Sequence, residues 1–472
     1  MAEEKKKTTF WNFFDNLEGD KVVWMIVLLL MLISIVAIFS STSQLAISQN
    51  TSRMAIVTDQ IKISLLGLVI IVGCYNIRKI GIFRVLSQFG YFVSIAFLLI
   101  LMSHKKVGPI QPVMVNSAWR IVQIGGYQVH VFEIVKVAMV MYLAWAVNAY
   151  RNDKFLIANI LAKKYPLWQK PLVKKIFYIY IPIFTVCLGI MVGSLSSTLF
   201  IGGISVKELI MPGALAVALL IGCMGINSLS KKPSDQKPFP HLESAMNRLK
   251  KDGNSNMMEV LRTEPQGSQE FQKALDKIKQ PVSAKIAIHE GGLFGKGPGR
   301  STQRYVVPIM FEDYMFSFIV EEYGLLGGLL VIILYISLLA RGSIIVRNCD
   351  NHFAKIAVAG LVLLITGQAM MHIMINCDLG PLTGQTLPLV SHGNSSFLMF
   401  SLAFGIILSI SKMAKRKIAR EAEKAGPLVE RAEHDEVSSG INELEMMEAM
   451  ESEPVIHEND IPDYGLDDHN NE

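Results

Sequence analysis

Cysteine is scarce: five residues in 472, Cys74, Cys187, Cys223, Cys349 and Cys377, all in or beside apolar runs and without paired spacing. That leaves no readable disulfide framework and no metal knuckle. No small-residue cleavage site stands before Val22, so the first apolar run is expected to be a retained span and not a removed signal peptide. No internal repeat stands out, which gives no pattern support to an inverted-repeat transporter. Basic residues nearly vanish from 421–472, where two face seventeen acidic ones, a composition that argues for a disordered tail. What the chain has in excess is apolar surface. At 51% hydrophobic and a mean hydropathy of +0.38, it is too apolar for a soluble globular protein and is expected to be an all-α polytopic membrane protein. The net charge of +5 is small, and its basic residues flank apolar runs, which points to an anionic leaflet and not to nucleic acid.

The spans follow from runs long enough to cross a hydrocarbon core, which needs roughly 20 residues. They are expected at Val22–Thr42, Ile63–Cys74 with less apolar extensions, Val85–Met102, Val131–Ala149 and Ile176–Val192, then at Met315–Leu339, Ala354–Ile375 and Phe397–Ile410. Arg78, Lys79 and Arg84, the seven basic residues from Arg151 to Lys175, and the cluster from Lys412 to Arg420 mark cytoplasmic segments. Both termini then lie inside, which requires an even count. The apolar but interrupted stretch 194–227 is therefore divided into two spans, giving ten in all. The expected organisation is a cytoplasmic tail (1–21), a ten-span membrane domain (22–411) and an acidic cytoplasmic tail (412–472). The stretch 227–314, between spans seven and eight, is a large extracytoplasmic loop with short amphipathic helices at Leu242–Leu249 and Gln269–Ile278. His104–His130 is expected as an outside loop.

Four groups of residues on the outside could carry chemistry. Asp313 stands at the mouth of a span that also holds Glu321 and Glu322. Ionisable groups at membrane depth are costly and need partners, although an Asp before an apolar run also reads as a helix cap. Glu133 and Lys136, three apart, share a helical face and can pair, either as a structural ion pair or as a site, with Arg120 upstream. The glycine cluster 291–299, Gly297 included, could bring backbone N–H groups to an anion. It lacks the flanking strand and helix of a dinucleotide fingerprint, so a flexible turn is the plainer reading. The loop Asn376–Ser396, with Ser391 and Ser395, has no Lys or Arg and could be a re-entrant segment whose hydroxyls satisfy free backbone groups.

Together these segments resemble the SEDS family of bacterial cell-wall polymerases, with its division (FtsW), elongation (RodA) and SpoVE branches. Thr383–Ser396 resembles that family's TGLPLPFVSYGGSS signature, Asp313–Gly324 its DFIFAIIGEELG block, and Gly291–Gly299 the glycine stretch that precedes the block. Asn116–Lys136 resembles its NGAxRW and QPSEFAK motifs. The likeness covers roughly Val22 to Lys417. It departs at Ser194-Leu195-Ser196, where a family carboxylate is missing, at His392 and Asn394, and at Ile121.

The resemblance implies a peptidoglycan glycosyltransferase that joins lipid II units into glycan strands at the outer face of the cytoplasmic membrane and releases undecaprenyl pyrophosphate. Asp313 would be the general base. Arg120 and Lys136 would hold phosphate oxygens, with Glu133 orienting Lys136; Gly297, Ser391 and Ser395 would also meet substrate, and Glu321 and Glu322 would support the site. A divalent cation, magnesium or manganese, would help stabilise the leaving group. The implied partners are a class B penicillin-binding protein and division-machinery proteins. The long tails favour division over elongation. A lipid flippase is the competing class, because the same intramembrane charges could line a path for a polar head group.

Overall fold

In a computed structural model, residues 18–190 and 262–420 are described, apart from interruptions at 43–44, 47–49, 104–105, 107, 116–117, 126, 154, 156–158, 161, 164, 264, 266–267, 308–309 and 380–383. Of the described residues, those up to Lys415 form one compact unit and 416–420 belong to a second. The helices are α1 (Lys21–Ser41), α2 (Arg53–Tyr75), α3 (Ile80–Ser103), α4 (Val131–Arg151), α5 (Pro171–Lys175), α6 (Ile181–Ile190), α7 (Gln269–Gly291), α8 (Met310–Asp313), α9 (Met315–Asn348), α10 (His352–Asn376) and α11 (Asn394–Arg420). A π-helical turn, Ile176–Tyr180, joins α5 to α6.

Seven helices among the described residues, α1 to α4 and α9 to α11, are long and apolar enough to cross a membrane. They coincide with seven of the expected spans, and the chain is a multi-pass membrane protein. The two spans assigned to 194–227 and the helix expected at Leu242–Leu249 lie outside the described residues, as does the acidic tail from 421 onward.

Two expectations need correction. The stretch expected as the loop His104–His130 contains a three-stranded antiparallel meander, β1 (Ile110–Val115), β2 (Ala118–Ile124) and β3 (Tyr127–His130). Its β-branched residues, Ile110, Val113, Val115, Ile121, Val122, Ile124 and Val129, favour a pleated surface. Ile124 pairs with Tyr127, so the chain reverses directly after β2 at Gly125, whose φ of +57° is the conformation such tight hairpins demand. The short helix expected at Gln269–Ile278 instead runs on to Gly291 as α7. Ser268 starts it, accepting from Phe271 N at 3.1 Å, and Gly292 at φ +53° follows its end.

At one end of the bundle, buried Asp20 caps α1 by accepting from Val22 N and Val23 N and pairs with Arg341 of α9 at 2.6 Å. At the other end the chain between α10 and α11 dips inside. Leu387, Leu389 and Val390 are buried, and this irregular backbone finds its partners in the surrounding helices. Ser34 Oγ of α1 donates to Val390 O at 2.9 Å, Tyr335 OH of α9 to Pro388 O at 2.6 Å, and Gln60 Nε2 of α2 to Ser34 Oγ at 3.0 Å.

A buried carbonyl left without a donor costs about 1–3 kcal/mol. Tyr335→Phe, which orphans Pro388 O at nearly constant volume, is therefore expected to lower the thermal midpoint of the detergent-solubilised protein. An unchanged midpoint would mean that the Tyr335 bond does not anchor the loop.

Candidate functional site

Asp313 ends α8, immediately before α9. Its carboxylate lies against the re-entrant loop: a Cβ added to Gly384, itself at φ +64°, would stand 3.6 Å from Asp313 Oδ2. The backbone of this acid is held by three successive bonds. Phe311 O accepts from His392 N at 2.9 Å, Glu312 O from Ser391 Oγ at 2.7 Å, and Asp313 O from Asn376 Nδ2 at 3.2 Å. Burial, together with the adjacent Asp313 charge, pushes the Glu312 carboxyl up to about 7.

Lys136, on α4, is buried and directs its ammonium to three acceptors: Glu133 Oε1 at 2.8 Å, Gln368 Oε1 at 2.5 Å and Gln385 Oε1 at 3.0 Å. Gln385 follows Gly384, so the loop brings the Lys136 cluster and the Asp313 carboxylate to neighbouring residues. Ser395 Oγ accepts from His130 N at 3.0 Å and donates to Gln128 O at 3.2 Å, which ties the start of α11 to β3. Arg120 is the extra residue of a bulge in β2, since Ile121 pairs with Val113 and Trp119 with Met114. Bulges of this kind re-aim side chains beside functional sites; the Arg120 side chain itself lies outside the described set.

The glycine cluster serves α9. That helix is broken at Gly324, at φ 72° and ψ −174°, which frees backbone groups on both sides of the break. Lys296 N donates to Glu321 O and Gly297 N to Glu322 O, both at 2.9 Å, while Leu325 N donates to Gly292 O at 2.9 Å. A Cβ on Gly324 would collide with Leu293 O, and one on Gly291 with Val320 O, so the close approach requires glycine on both strands of the contact. The Gly297 N–H thus goes to a helix carbonyl.

Glu321 and Glu322 are fully buried, and the segment after the glycines wraps them. Glu321 accepts from Lys296 Nζ at 2.9 Å, Ser301 Oγ at 2.5 Å and Thr302 N at 2.8 Å. Glu322 accepts from Ser40 Oγ at 2.5 Å and Gly299 N at 3.0 Å, with Arg304 Nη1 at 3.7 Å. Such caging gives Glu321 the hydrogen-bonded partners that a buried charge needs, whereas among the described residues Glu322 Oε2 has no hydrogen-bond partner.

Two further residues join the site without having been expected there, Gln368 and His372, in line with Asn376, where the expected loop begins. The three recur every four positions and form one polar stripe on apolar α10. Gln368 holds Lys136 and donates to Thr386 O at 3.0 Å. His372 Nδ1 pairs with Gln385 O at 2.7 Å, and its Nε2 accepts from Phe316 N at 3.4 Å. Asn376 Oδ1 accepts from both the N and the Oγ of Ser317. The signal that marks them in the sequence is the four-residue repeat of polar side chains within an apolar run. Among the described residues no three His, Cys, Asp or Glu side chains converge as metal ligands.

The cell cycle protein family FtsW/RodA/SpoVE matches residues 20–416. Among similar proteins, the probable peptidoglycan glycosyltransferase FtsW of Caulobacter vibrioides is 37% identical over 131 residues, covering 28% of this chain and 34% of the relative. The peptidoglycan glycosyltransferase MrdB of Escherichia coli is 36% identical over 131 residues, 27% and 35% of the two chains. With these relatives the match spans about a third of the relative's own length. The probable FtsW of Enterococcus hirae is 28% identical over 426 residues, 86% of this chain and 96% of the relative. A chain from a solved peptidoglycan synthase complex, one that coordinates polymerization and crosslinking, shares the fold at a TM-score of 0.55 and 18% identity, covering 84% of this chain and 98% of its own.

Because the folded protein holds the Glu312 proton more tightly than an ordinary carboxyl of 4.5, this group's contribution to stability is complete below that value and is lost as pH rises through about 7. The thermal midpoint is expected to fall between about pH 5 and about pH 8, and Glu312→Gln to flatten that fall. An unaltered slope in the variant would assign the titration to another group.

Proposed function

The chain belongs to the FtsW/RodA/SpoVE family of cell cycle proteins, and from that membership and the site's geometry we propose that it is a peptidoglycan glycosyltransferase polymerising lipid II. The observation that carries the reading is Asp313, a partly buried carboxylate set at a span mouth against Gly384 and one residue along the loop from the Lys136 cluster. In the reaction a sugar hydroxyl attacks the anomeric carbon that bears the lipid pyrophosphate. The new glycosidic bond forms as the bond to pyrophosphate breaks, and the hydroxyl proton passes to an Asp313 oxygen. Lys136 adds positive charge on the leaving-group side. Glu133, Gln368 and Gln385 keep its ammonium in place. Arg120, on its bulge, is assigned to the phosphate oxygens, where a guanidinium binds in bidentate fashion. Ser391 and Ser395 shape the loop that the sugar would meet, and Gly297, Glu321 and Glu322 support the break in α9.

If a magnesium or manganese ion binds, the carboxylate at the site that would hold it is Asp313, and the ion would supply positive charge to the leaving group. The expected setting is the bacterial cytoplasmic membrane, with both termini cytoplasmic and Asp313 outside. The partner would be a class B penicillin-binding protein, a reading supported by the shared fold with a chain of a polymerising and crosslinking complex. A septal role, with division-machinery partners, is favoured by the near full-length match to an FtsW. Its test is depletion of the protein, which should give filaments; rounded cells would assign it to elongation.

Against a flippase, the charges that could line a head-group path are engaged within the protein: Lys136 with Glu133, Glu321 with Lys296 and Glu322 with Ser40. The deciding experiment follows glycan formation from purified lipid II by the protein with its transpeptidase partner. Asp313→Asn and Asp313→Ala are expected to cut the rate by about 10²- to 10⁴-fold, the usual worth of a general base, while the variants keep their fold. Retained polymerisation would remove Asp313 from the chemistry. No polymerisation by the parent protein, with lipid II transfer across vesicles instead, would favour the flippase.

A further inference from the structure

We propose that Asn376 is a positioning residue for the Asp313 carboxylate; this rests on the polymerase reading above and assigns a role that acts through Asp313 and needs no contact with substrate. Asp313 sits in a four-residue helix, too short to hold an orientation by its own hydrogen bonds. It needs outside anchors, and three consecutive carbonyls, those of Phe311, Glu312 and Asp313, receive bonds from His392 N, Ser391 Oγ and Asn376 Nδ2. Of the three donors, Asn376 alone also holds the following helix. The N-terminal N–H groups of α9 have no partners within that helix, and Tyr314 at the cap position makes no side-chain bond to them. Asn376 Oδ1 takes Ser317 N at 2.9 Å and Ser317 Oγ at 2.8 Å.

One amide thus grips the chain on both sides of the junction, Asp313 before it and Ser317 after it. The amide cannot rotate away, because its Nδ2 also donates to His372 O at 2.7 Å and the residue is 1% exposed. An amide is suited to this task, since it offers donors and an acceptor on one planar group. Asn376 further shares its stripe with His372 and Gln368, which hold Gln385 and Lys136. One face of α10 therefore sets both the base and the cation of the site, and the distance between them is built into a rigid helix. Groups held in this way act through geometry, and a displacement of about 1 Å can cost about 10²-fold in rate.

The test compares Asn376→Leu with Asn351→Ala in the lipid II assay, using the full chain and its transpeptidase partner. Asn351 caps the opposite end of α10, accepting from Phe353 N and Ala354 N, so its variant weakens the same helix without touching Asp313. Asn376→Leu is expected to lower kcat by about 10- to 100-fold with KM within about twofold, whereas Asn351→Ala keeps kcat at a comparable thermal midpoint. In the Asp313→Asn background, adding Asn376→Leu should cost less than about twofold more, because residues that act as one unit are not additive. If Asn376→Leu does not fold, Asn376→Ser, whose short hydroxyl can still bond the His372 carbonyl one turn back but cannot span Asp313 O and Ser317 N together, should show the same kcat-only loss and the same non-additivity. Equal kcat losses in the Asn376 and Asn351 variants, or equal factors with and without Asp313, would overturn the positioning role. Full activity in Asp313→Asn alone would instead overturn the reading of the site on which that role rests.

Discussion

An apolar bundle gives irregular backbone no water to bond, and the whole arrangement around Asp313 follows from that constraint. The chain from Gly384 to Gly393 is neither helix nor strand, yet several of its residues are buried. It can exist only because helices on every side supply side chains at the right places: Ser34 from α1, Gln60 through Ser34 from α2, Tyr335 from α9, Gln368 and His372 from α10. The bonds run in the other direction too, since His392 N and Ser391 Oγ return to the carbonyls of α8. Loop and acid are therefore mutually determined. A rigid scaffold presenting a reactive group on an irregular segment is a common division of labour in proteins, but here the segment lies inside the scaffold.

A second consequence concerns the two acids caged within the protein. Glu321 and Glu322 sit at a break in α9 where Gly324 turns the backbone, and the segment from Lys296 to Arg304 closes over them with N–H, hydroxyl, ammonium and guanidinium groups. Breaking a helix at depth exposes carbonyls that need donors. The glycines of 291–297 allow a neighbouring backbone close enough to provide them. The same motif that could have cradled an external anion is occupied by carbonyls and carboxylates of its own chain. The acids around the start of α9 are thus not equivalent. Glu321 and Glu322 are engaged deep within the protein, whereas Asp313, before the helix, lies at the edge of the re-entrant loop.

Much of this is legible in the residues. Apolar runs of adequate length, bounded by basic clusters, locate the seven long helices; the Glu133 and Lys136 spacing announces an ion pair that forms at 2.8 Å; and the hydroxyl-rich Asn376–Ser396 segment is open to being re-entrant. Asp313 can be singled out because a carboxylate before an apolar run is costly or purposeful. The meander at 110–130 is harder to read, because its β-branched residues fall between two spans, where a connecting loop suffices. The Gly125-Gly126 pair is the hairpin signal in that stretch.

Local chemistry alone determined where the seven long apolar helices run and which residues are too polar to sit in a membrane without partners. Hydrophobic length and charge act over one to a few turns of chain, so a linear reading captures them. What only the tertiary structure decided is who satisfies whom. Lys136 could have bound a phosphate directly, but Gln368 and Gln385, 232 and 249 residues away, take two of its bonds. Asn376 could have been a helix end, but it holds Asp313 and Ser317 across 63 and 59 residues. The physical reason is that burial forbids water as a partner, and only the three-dimensional packing of distant segments determines which polar group replaces it.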